Sequence, residues 1–402
     1  MSELNLRQWL RMLAVKKYSC LLICFTYPPV LGGSEIEAQR VCRALRERGH
    51  RVLVLCAGHS EMPDSKDWVD PYGTPVRIIG KGAQGPWLDR KFALGVVVEL
   101  WRLRGQFDVI YFLMQGLHLA TGLPICRLLG LPVVMKISGS GIVEFMQESF
   151  LGRLELRWLS RWARRVMILN EGIAEEAAAA GIAREKLFWM PNPVDVAEFS
   201  PATCEERLRL RADSGISAQA PVVVYVGRLA PEKELASLLE AFALVRRKQS
   251  DAQLIVVGDG PERAALQAES QRLGLSEAVR FTGRQPMDRV REFLKMADIF
   301  ALVSRLEGFP CSLIEAMSTG LAAIVSRIPA NKQLIDDGVH GLSGGVRNAS
   351  ELAEALLRLI DNPEQRQQMG QAGRQRIIDH YSTVKIAERY EELFALVATE
   401  TK

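Results

Sequence analysis

The sequence predicts an α/β protein of two doubly wound domains that face each other across a cleft. Three observations predict it. Continuous apolar runs, which mark strands buried on both faces, alternate with segments of helical periodicity, as in parallel sheets covered by helices. The alternation halts at "PNPVDVAEFSP" (191–201), with three prolines in eleven residues, and then restarts. The chain has 402 residues, enough for about two or three domains.

The elements follow in order. "SCLLICFTY" (19–27) reads as the first buried strand. "GGSEIEAQRVCRALRERGH" (32–50) is a glycine loop and a helix ending at Gly49, and "RVLVLCAG" (51–58) is the second strand. "FDVIYFL" (107–113) and "PVVMKIS" (132–138) are two more, each preceded by helix-compatible sequence. "RVMILN" (165–170) follows a long Arg- and Trp-bearing helix, and "KLFWMPN" (186–192) closes the series. The second series has strands at "PVVVYVGRL" (221–229), "AQLIVVGDGP" (252–261), "VRFTG" (279–283), "DIFALVS" (298–304), "AAIVS" (322–326) and "GLSGG" (341–345). Its helices are expected at 234–248, 262–275, 350–375 and 383–398. The predicted domains are 1–197 and 198–382. A closed barrel needs one regular series of eight units, which the proline-rich break interrupts. Ligands of open parallel sheets lie beyond the carboxyl ends of the strands.

Composition narrows the function classes. The net charge is only +4, but residues 1–197 hold 25 Lys and Arg against 19 Asp and Glu, and the rest hold 26 against 28. An anionic surface partner is therefore expected on the first half; nothing points to nucleic acid. The seven cysteines form no CxxC pair and mostly sit in apolar runs, which suits reduced thiols in a cytoplasmic protein. The five histidines show no metal-ligand spacing. No apolar run reaches the ~18 residues of a membrane span, and the first residues do not read as a signal peptide.

Each motif that carries chemistry follows a strand. Gly32-Gly33-Ser34-Glu35 opens the first helix, where glycine lets an anion approach exposed N–H groups; an ordinary tight turn has the same pattern. Arg228 and Lys233 flank Pro231-Glu232 beyond "VVVYVG". A forked guanidinium and a compact ammonium there suit a diphosphate, and a solvated charged loop is the alternative. "VVGDGPE" (256–262) lacks the third glycine of a dinucleotide fingerprint and reads as a structural turn.

The sharpest motif is "SRLEGFPCSLIEAM" (304–317). Gly308 and Pro310 break the backbone, and "CSLIEAM" propagates as a helix with Pro310 in its first turn. The N–H groups of Phe309, Cys311 and Ser312 then point outward at the positive end of the helix dipole, a second face for the same diphosphate. Glu307 precedes the break and Glu315 follows it, each able to accept hydrogen bonds from hydroxyls. Ribose, diphosphate and sugar in line is the layout of a nucleotide-sugar. The plainer reading has Glu307 as an ordinary loop acid and Glu315 facing solvent.

"YVGRLAPEKELASLLEAF", "VVGDGPER", "FTGR" and "SRLEGFPCSLIEAMSTG", in this order, resemble the GT-B-fold retaining glycosyltransferases of family GT4. Glu307 and Glu315 match that family's E-x7-E pattern, and "GGSE" and "PNPVD" are similar to features of its first domain. The resemblance implies two Rossmann-like domains, the final helix 383–402 returning to the first. It implies transfer of a sugar, with retention, from a UDP- or GDP-sugar to a glycan, a lipid-linked saccharide or a small metabolite. No metal and no cofactor beyond the co-substrate are implied. Arg228 and Lys233 would neutralise the leaving diphosphate, Glu307 would hold the donor sugar and Glu315 the ribose. The backbone of Gly308, Phe309 and Pro310 would contact sugar and phosphate, Arg284 would lie near the base, and Gly32 and Gly33 would let the first loop approach the phosphates. Many relatives carry a histidine after the fourth strand; here "MKISGSG" (135–141) puts Ser138 there, leaving Lys136, Ser138 and Ser140 to line a sugar or acceptor pocket. Glu234 stands where relatives often have Gly, and Ala322 where they often have Pro.

Rival readings stay open. A hydrolase using Glu307 and Glu315 would need carboxyls facing each other about 5–10 Å apart, and the adjacent cations argue instead for a charged leaving group. A nucleotide-sugar epimerase and a nucleotide-sugar binder without turnover are the alternatives. Separately, Arg153, Arg157, Arg161, Arg164 and Arg165 with Trp158 and Trp162 suit a helix lying on an anionic membrane, and "LRQWLRMLAVKK" (6–17) adds similar material. The bland alternative packs the tryptophans and solvates the arginines.

Overall fold

The structure, a computed structural model, describes residues 16–29, 32–82, 85–345 and 347–399. All but the last two lysines of "LRQWLRMLAVKK" lie outside the described residues. The chain divides into two compact units. The first runs up to Ile168 and takes in Ala174–Met190 and the residues from Ala387 on; the second is Leu169–Ile173 with Pro191–Ile386.

The first unit holds eight strands: β1 (Ser19–Ile23), β2 (Arg51–Gly58), β3 (Asp67–Val69), β4 (Pro75–Lys81), β5 (Val109–Phe112), β6 (Val133–Lys136), β7 (Arg165–Ile168) and β8 (Leu187–Trp189). Their order is β3-β4-β2-β1-β5-β6-β7-β8. Every neighbouring pair is parallel except β3 with β4. The central strands are buried along their length, as their unbroken apolar runs require. The antiparallel pair β3–β4 was not expected. Its turn is organised by Asp70, whose carboxylate accepts from the N–H groups of Tyr72 (3.0 Å) and Thr74 (2.7 Å).

The second unit holds β9 (Val222–Val226), β10 (Gln253–Val257), β11 (Val279–Gly283), β12 (Ile299–Leu302), β13 (Ala322–Ser326) and β14 (Gly341–Gly344). These are all parallel, in the order β11-β10-β9-β12-β13-β14. The expected helix over 350–375 is two helices, Ala349–Asp361 and Pro363–His380. Pro363 has no N–H to donate and disfavours helical backbone at Asn362, which sits at φ −122° and ψ 76°.

Among the parallel strands of each unit the order reverses between β1 and β5 in the first and between β9 and β12 in the second. Such a switch point opens a crevice at the carboxyl ends of its two strands. The last helix, Thr383–Thr399, joins the first unit from Ala387 on. There Arg48 forks onto Glu391 at 2.9 and 2.7 Å, and His50 meets the same carboxylate at 2.8 Å.

Candidate functional site

The switch point of the second unit gathers most of the predicted site. β9 and β12 are neighbours in register, with Ile299 beside Val223 and Phe300 beside Val224. The turn carrying Arg228 and Lys233 and the turn carrying Glu307 therefore leave the sheet side by side. The β10 turn lies close against the β9 turn. A Cβ on Gly258 would fall 1.9 Å from the Gly227 carbonyl oxygen, and one on Gly260 would fall 2.2 Å from that of Leu229. Gly258 also has φ 137°, which glycine alone adopts readily. These two glycines serve backbone packing, the structural reading of "VVGDGPE".

Lys233 and Glu307 form an ion pair, with Nζ 2.7 Å from Oε1. Ser304 donates its hydroxyl to the same Oε1 at 2.6 Å. The two paired side chains are only 16% and 11% exposed, so the contact is shielded from water and stronger than an open surface pair. Arg228 is exposed. Its carbonyl accepts from the Tyr225 hydroxyl at 2.9 Å, which fixes the turn while the guanidinium reaches outward. Burial, and then the charges of Glu307 and Glu232, push the Tyr225 phenol above its ordinary range.

The helix after the break is Cys311–Ser318, and Pro310 stands at its N-cap, one position before the expected first turn. Phe309 is buried with its ring 5.8 Å from that of Tyr381. Asn170 donates to the Gly308 carbonyl at 2.6 Å, and Asn192 donates to the Cys311 sulfur at 3.2 Å. These contacts set the direction of the helix N-terminus, with Cys311 and Ser312 half-buried at its mouth. Glu315 is buried, not solvent-facing. Arg284 is exposed beyond β11, the edge strand two places from β9.

Sequence reasoning missed a second ionic cluster beside this one. Glu234 and Arg347 form a forked pair at 2.9 and 2.6 Å, and Arg305 lies 3.5 Å from the same carboxylate. Hydrogen bonding from Arg347 holds the Glu234 carboxyl below its ordinary range. The departure from glycine at 234 was legible; its partner 113 positions away was not. Ser304, Tyr225, Asn170 and Asn192 also went unread, because no local pattern announces a long-range hydrogen bond.

In the first unit, Gly32 and Gly33 lie at the other switch point, beyond β1. Gly32 is the N-cap of the helix Gly33–Glu47; a Cβ on Gly33 would meet nothing within 4 Å, whereas one on Gly32 would fall 2.2 Å from the Glu35 carboxylate, so that acid stands at the helix start. Ser138 and Ser140 are half-buried beyond β6. Lys136 needs correcting. It is completely buried and bonded to the buried Glu37, so it closes a charge pair inside the core and cannot line a pocket. Two further buried groups stand near the β5 end. Glu155 is pushed up to about 7 by burial, against the opposing pull of a hydrogen bond from the Gly116 N–H. Burial holds His118 down at about 4.

The Arg- and Trp-bearing helix is Phe150–Trp162. Leu156 and Leu159 face the core, and Trp158 stacks on Trp162 with centroids 5.2 Å apart. Leu156 and Leu159 are thus used inside the unit. Arg153, Arg157 and Arg161 point to solvent. Arg127, Arg161, Arg164, Arg165 and Lys186 line a cavity of about 720 Å³ with Glu185 as its one acid, at the amino ends of β6 and β7. Phe145 and Phe150 are exposed nearby in sequence, at 65% and 75%. Among the described residues no helix is long and apolar enough to cross a membrane, and none of them cluster as three or more metal-ligating side chains. Among the described residues no cysteine is in a disulfide.

Two doubly wound units, with paired cations and acids at a switch point, define a class once set beside solved structures. Anabaena HepE, solved with UDP and with UDP-glucose, superposes with a TM-score of 0.77 at 20% identity, covering 94% of this chain and 99% of that one. The fold is the two-domain, Rossmann-like GT-B fold of glycosyltransferases. The model of the glycosyl transferase 4-like domain matches residues 32–193, and that of glycosyl transferases group 1 matches 206–376. The chain belongs to the GT4-type glycosyltransferases. It is 24% identical over 392 residues to N-acetyl-alpha-D-glucosaminyl L-malate synthase of Bacillus anthracis, covering 95% of this chain and 98% of that one. It is 27% identical over 401 residues to phosphatidyl-myo-inositol mannosyltransferase of Mycobacterium tuberculosis, covering 94% and 96%.

Proposed function

We propose that this glycosyltransferase moves a hexosyl unit, with retention, from a UDP- or GDP-sugar to a hydroxyl acceptor, and needs no divalent metal. The observation that carries the reading is the Lys233–Glu307 pair beside the outward-reaching Arg228 at the switch point of the second unit. Leaving-group departure gives an oxocarbenium-like sugar and a fuller diphosphate charge. Arg228, Lys233 and the N–H groups at the start of Cys311–Ser318 meet that charge without reorganising, each donor worth ~3 kcal/mol. Lys233 has three N–H donors and spends one on Glu307, so the ammonium can hold phosphate and acid together. Glu307 then faces the donor sugar and Glu315 the ribose. The acceptor hydroxyl then bonds to the anomeric carbon on the face the diphosphate left, and its proton passes to the departing diphosphate oxygen.

The UDP-bound state of HepE supports a UDP-type donor. The relatives' names support either a small hydroxylated acceptor or a lipid-linked one. The lipid reading is favoured by the basic cavity and the outward arginines of Phe150–Trp162, which would meet an anionic membrane face from the cytoplasm. A thermal-shift screen of nucleotide-sugars, then incubation of the stabilising donor with acceptors, tests the proposal. A glycoside of unchanged anomeric configuration, formed equally in EDTA, is expected. Free sugar alone would make the chain a hydrolase, an isomerised donor an epimerase, and binding without turnover a degenerate binder. Flotation with phosphatidylglycerol vesicles but not phosphatidylcholine ones is the expected lipid result; equal recovery would dismiss it.

A further inference from the structure

Among the described residues only two non-glycine positions have positive φ: Glu234 at 51° and Arg347 at 63°. These two are each other's partner, joined by the forked pair at 2.9 and 2.6 Å. Left-handed backbone is unfavourable for a residue with a side chain and persists where the surroundings over-determine it. Glycine at 234 would adopt that backbone without strain, so geometry alone does not call for glutamate. The carboxylate does.

Its placement says what the carboxylate holds. Glu234 follows Lys233 directly and is the N-cap residue of the helix Leu235–Arg246. Arg347 precedes Asn348, the N-cap of Ala349–Asp361, and the two helices pack together. The pair therefore ties the turn after β9 to the turn after β14. The turn after β12 is tied in as well. Its Arg305 donates its N–H to the Glu232 carbonyl at 2.8 Å and places its guanidinium 3.5 Å from Glu234. Lys233 is thus fastened on both sides, and its ammonium meets Glu307. Exposed ion pairs usually contribute little. Here the arginines are exposed, Arg347 at 65% and Arg305 at 59%, but the carboxylate is only 11% exposed, the contact is forked and a third charge joins it, which are the conditions under which such a pair holds geometry.

We infer that Glu234 and Arg347 are positioning residues that latch the β9 turn, so that affinity for a nucleoside diphosphate depends on their pairing although neither touches the ligand. The inference rests on the reading of Lys233 as a phosphate cation.

The test is calorimetric binding of UDP and GDP to the full-length chain, with melting temperature recorded for each variant. Glu234→Gly removes the carboxylate and the backbone strain together, so it folds at least as well as the parent. It is expected to bind the preferred nucleotide about three- to tenfold more weakly, as is Arg347→Gln. Combining Glu234→Gln with Arg347→Gln should cost no more than either alone. The exchange Glu234→Arg with Arg347→Glu should recover most of the loss. Parental affinity in Glu234→Gly, additive losses in the double variant, or an exchange no better than Arg347→Gln would each overturn the latch. Should Lys233→Ala leave nucleotide affinity unchanged, the reading of Lys233 itself has failed, and the latch inference with it.

Discussion

Lys233 and Glu307 stand 74 positions apart in the sequence and meet at 2.7 Å, across the two neighbouring strands where the second sheet reverses its order. The pair makes Lys233 a preset cation, not a mobile surface lysine. It also makes the two residues interdependent, since removing one leaves the other's charge shielded and unmatched.

Lys233→Ala and Glu307→Ala should each lower kcat/KM by about a hundred- to a thousandfold, mostly through kcat, as expected for groups that act on developing charge. The double variant should lose far less than the product of the two. Steady-state kinetics with circular dichroism to confirm folding checks this. Near-parental rates in either single variant would remove both residues from the mechanism.

Arg228 lies outside the packed core of the turn, so Arg228→Ala should leave the melting temperature unchanged and still weaken turnover by about tenfold or more. Arg228→Lys should restore part of the loss, because it returns the charge without the fork. Kinetics and differential scanning calorimetry on the two variants separate a chemical role from a structural one.

Gly258→Ala tests the packing beneath the site. The new methyl would lie 1.9 Å from a backbone oxygen at a residue with φ 137°. A loss of about 3 kcal/mol or more is expected from the strain and clash combined, read by urea denaturation. An unchanged midpoint would show that the β9 and β10 turns do not meet as described.

Glu155 gives a pH signature. Burial raises its carboxyl from 4.5 to about 7, so the charged form is disfavoured in the fold. No penalty exists below the unfolded value; it grows as pH rises from about 4.5 to 7 and is complete above that. Glu155→Gln should therefore match the parent near pH 4.5 and exceed it above pH 7 by an amount on the order of 3 kcal/mol. His118, held down at about 4, has the opposite sign: its stabilising contribution is lost as pH falls from 6.5 toward 4. Melting curves across this range read both.

Most of the architecture was legible because strands buried on both faces write unbroken apolar runs. The predicted 51–58, 279–283 and 322–326 coincide with β2, β11 and β13. β3 escaped notice because it is three residues long and mostly exposed. The turn signal was present in "DPYGTP", with Asp70 as the side-chain acceptor and Gly73 at φ 82°. The helix Met287–Met296 was also missed, although Val290, Phe293 and Leu294 are buried at helical spacing. At the site, the residue types and their strand-end positions were legible, but their pairings were not. Lys233 reaches Glu307 only because β9 lies beside β12, and strand order is not written in any local pattern. Lys136 misled for the same reason: it ends a strand, yet its partner Glu37 sits 99 positions away in the core.

The most direct test of the central claim compares UMP with UDP, and GMP with GDP, by titration calorimetry on the parent and on Lys233→Ala. If a preset cationic turn receives the diphosphate, the second phosphate should strengthen binding by about tenfold or more in the parent, and Lys233→Ala should erase most of that increment while leaving monophosphate affinity nearly unchanged. Equal affinity for mono- and diphosphate in the parent, or an increment that survives the loss of Lys233, would contradict it.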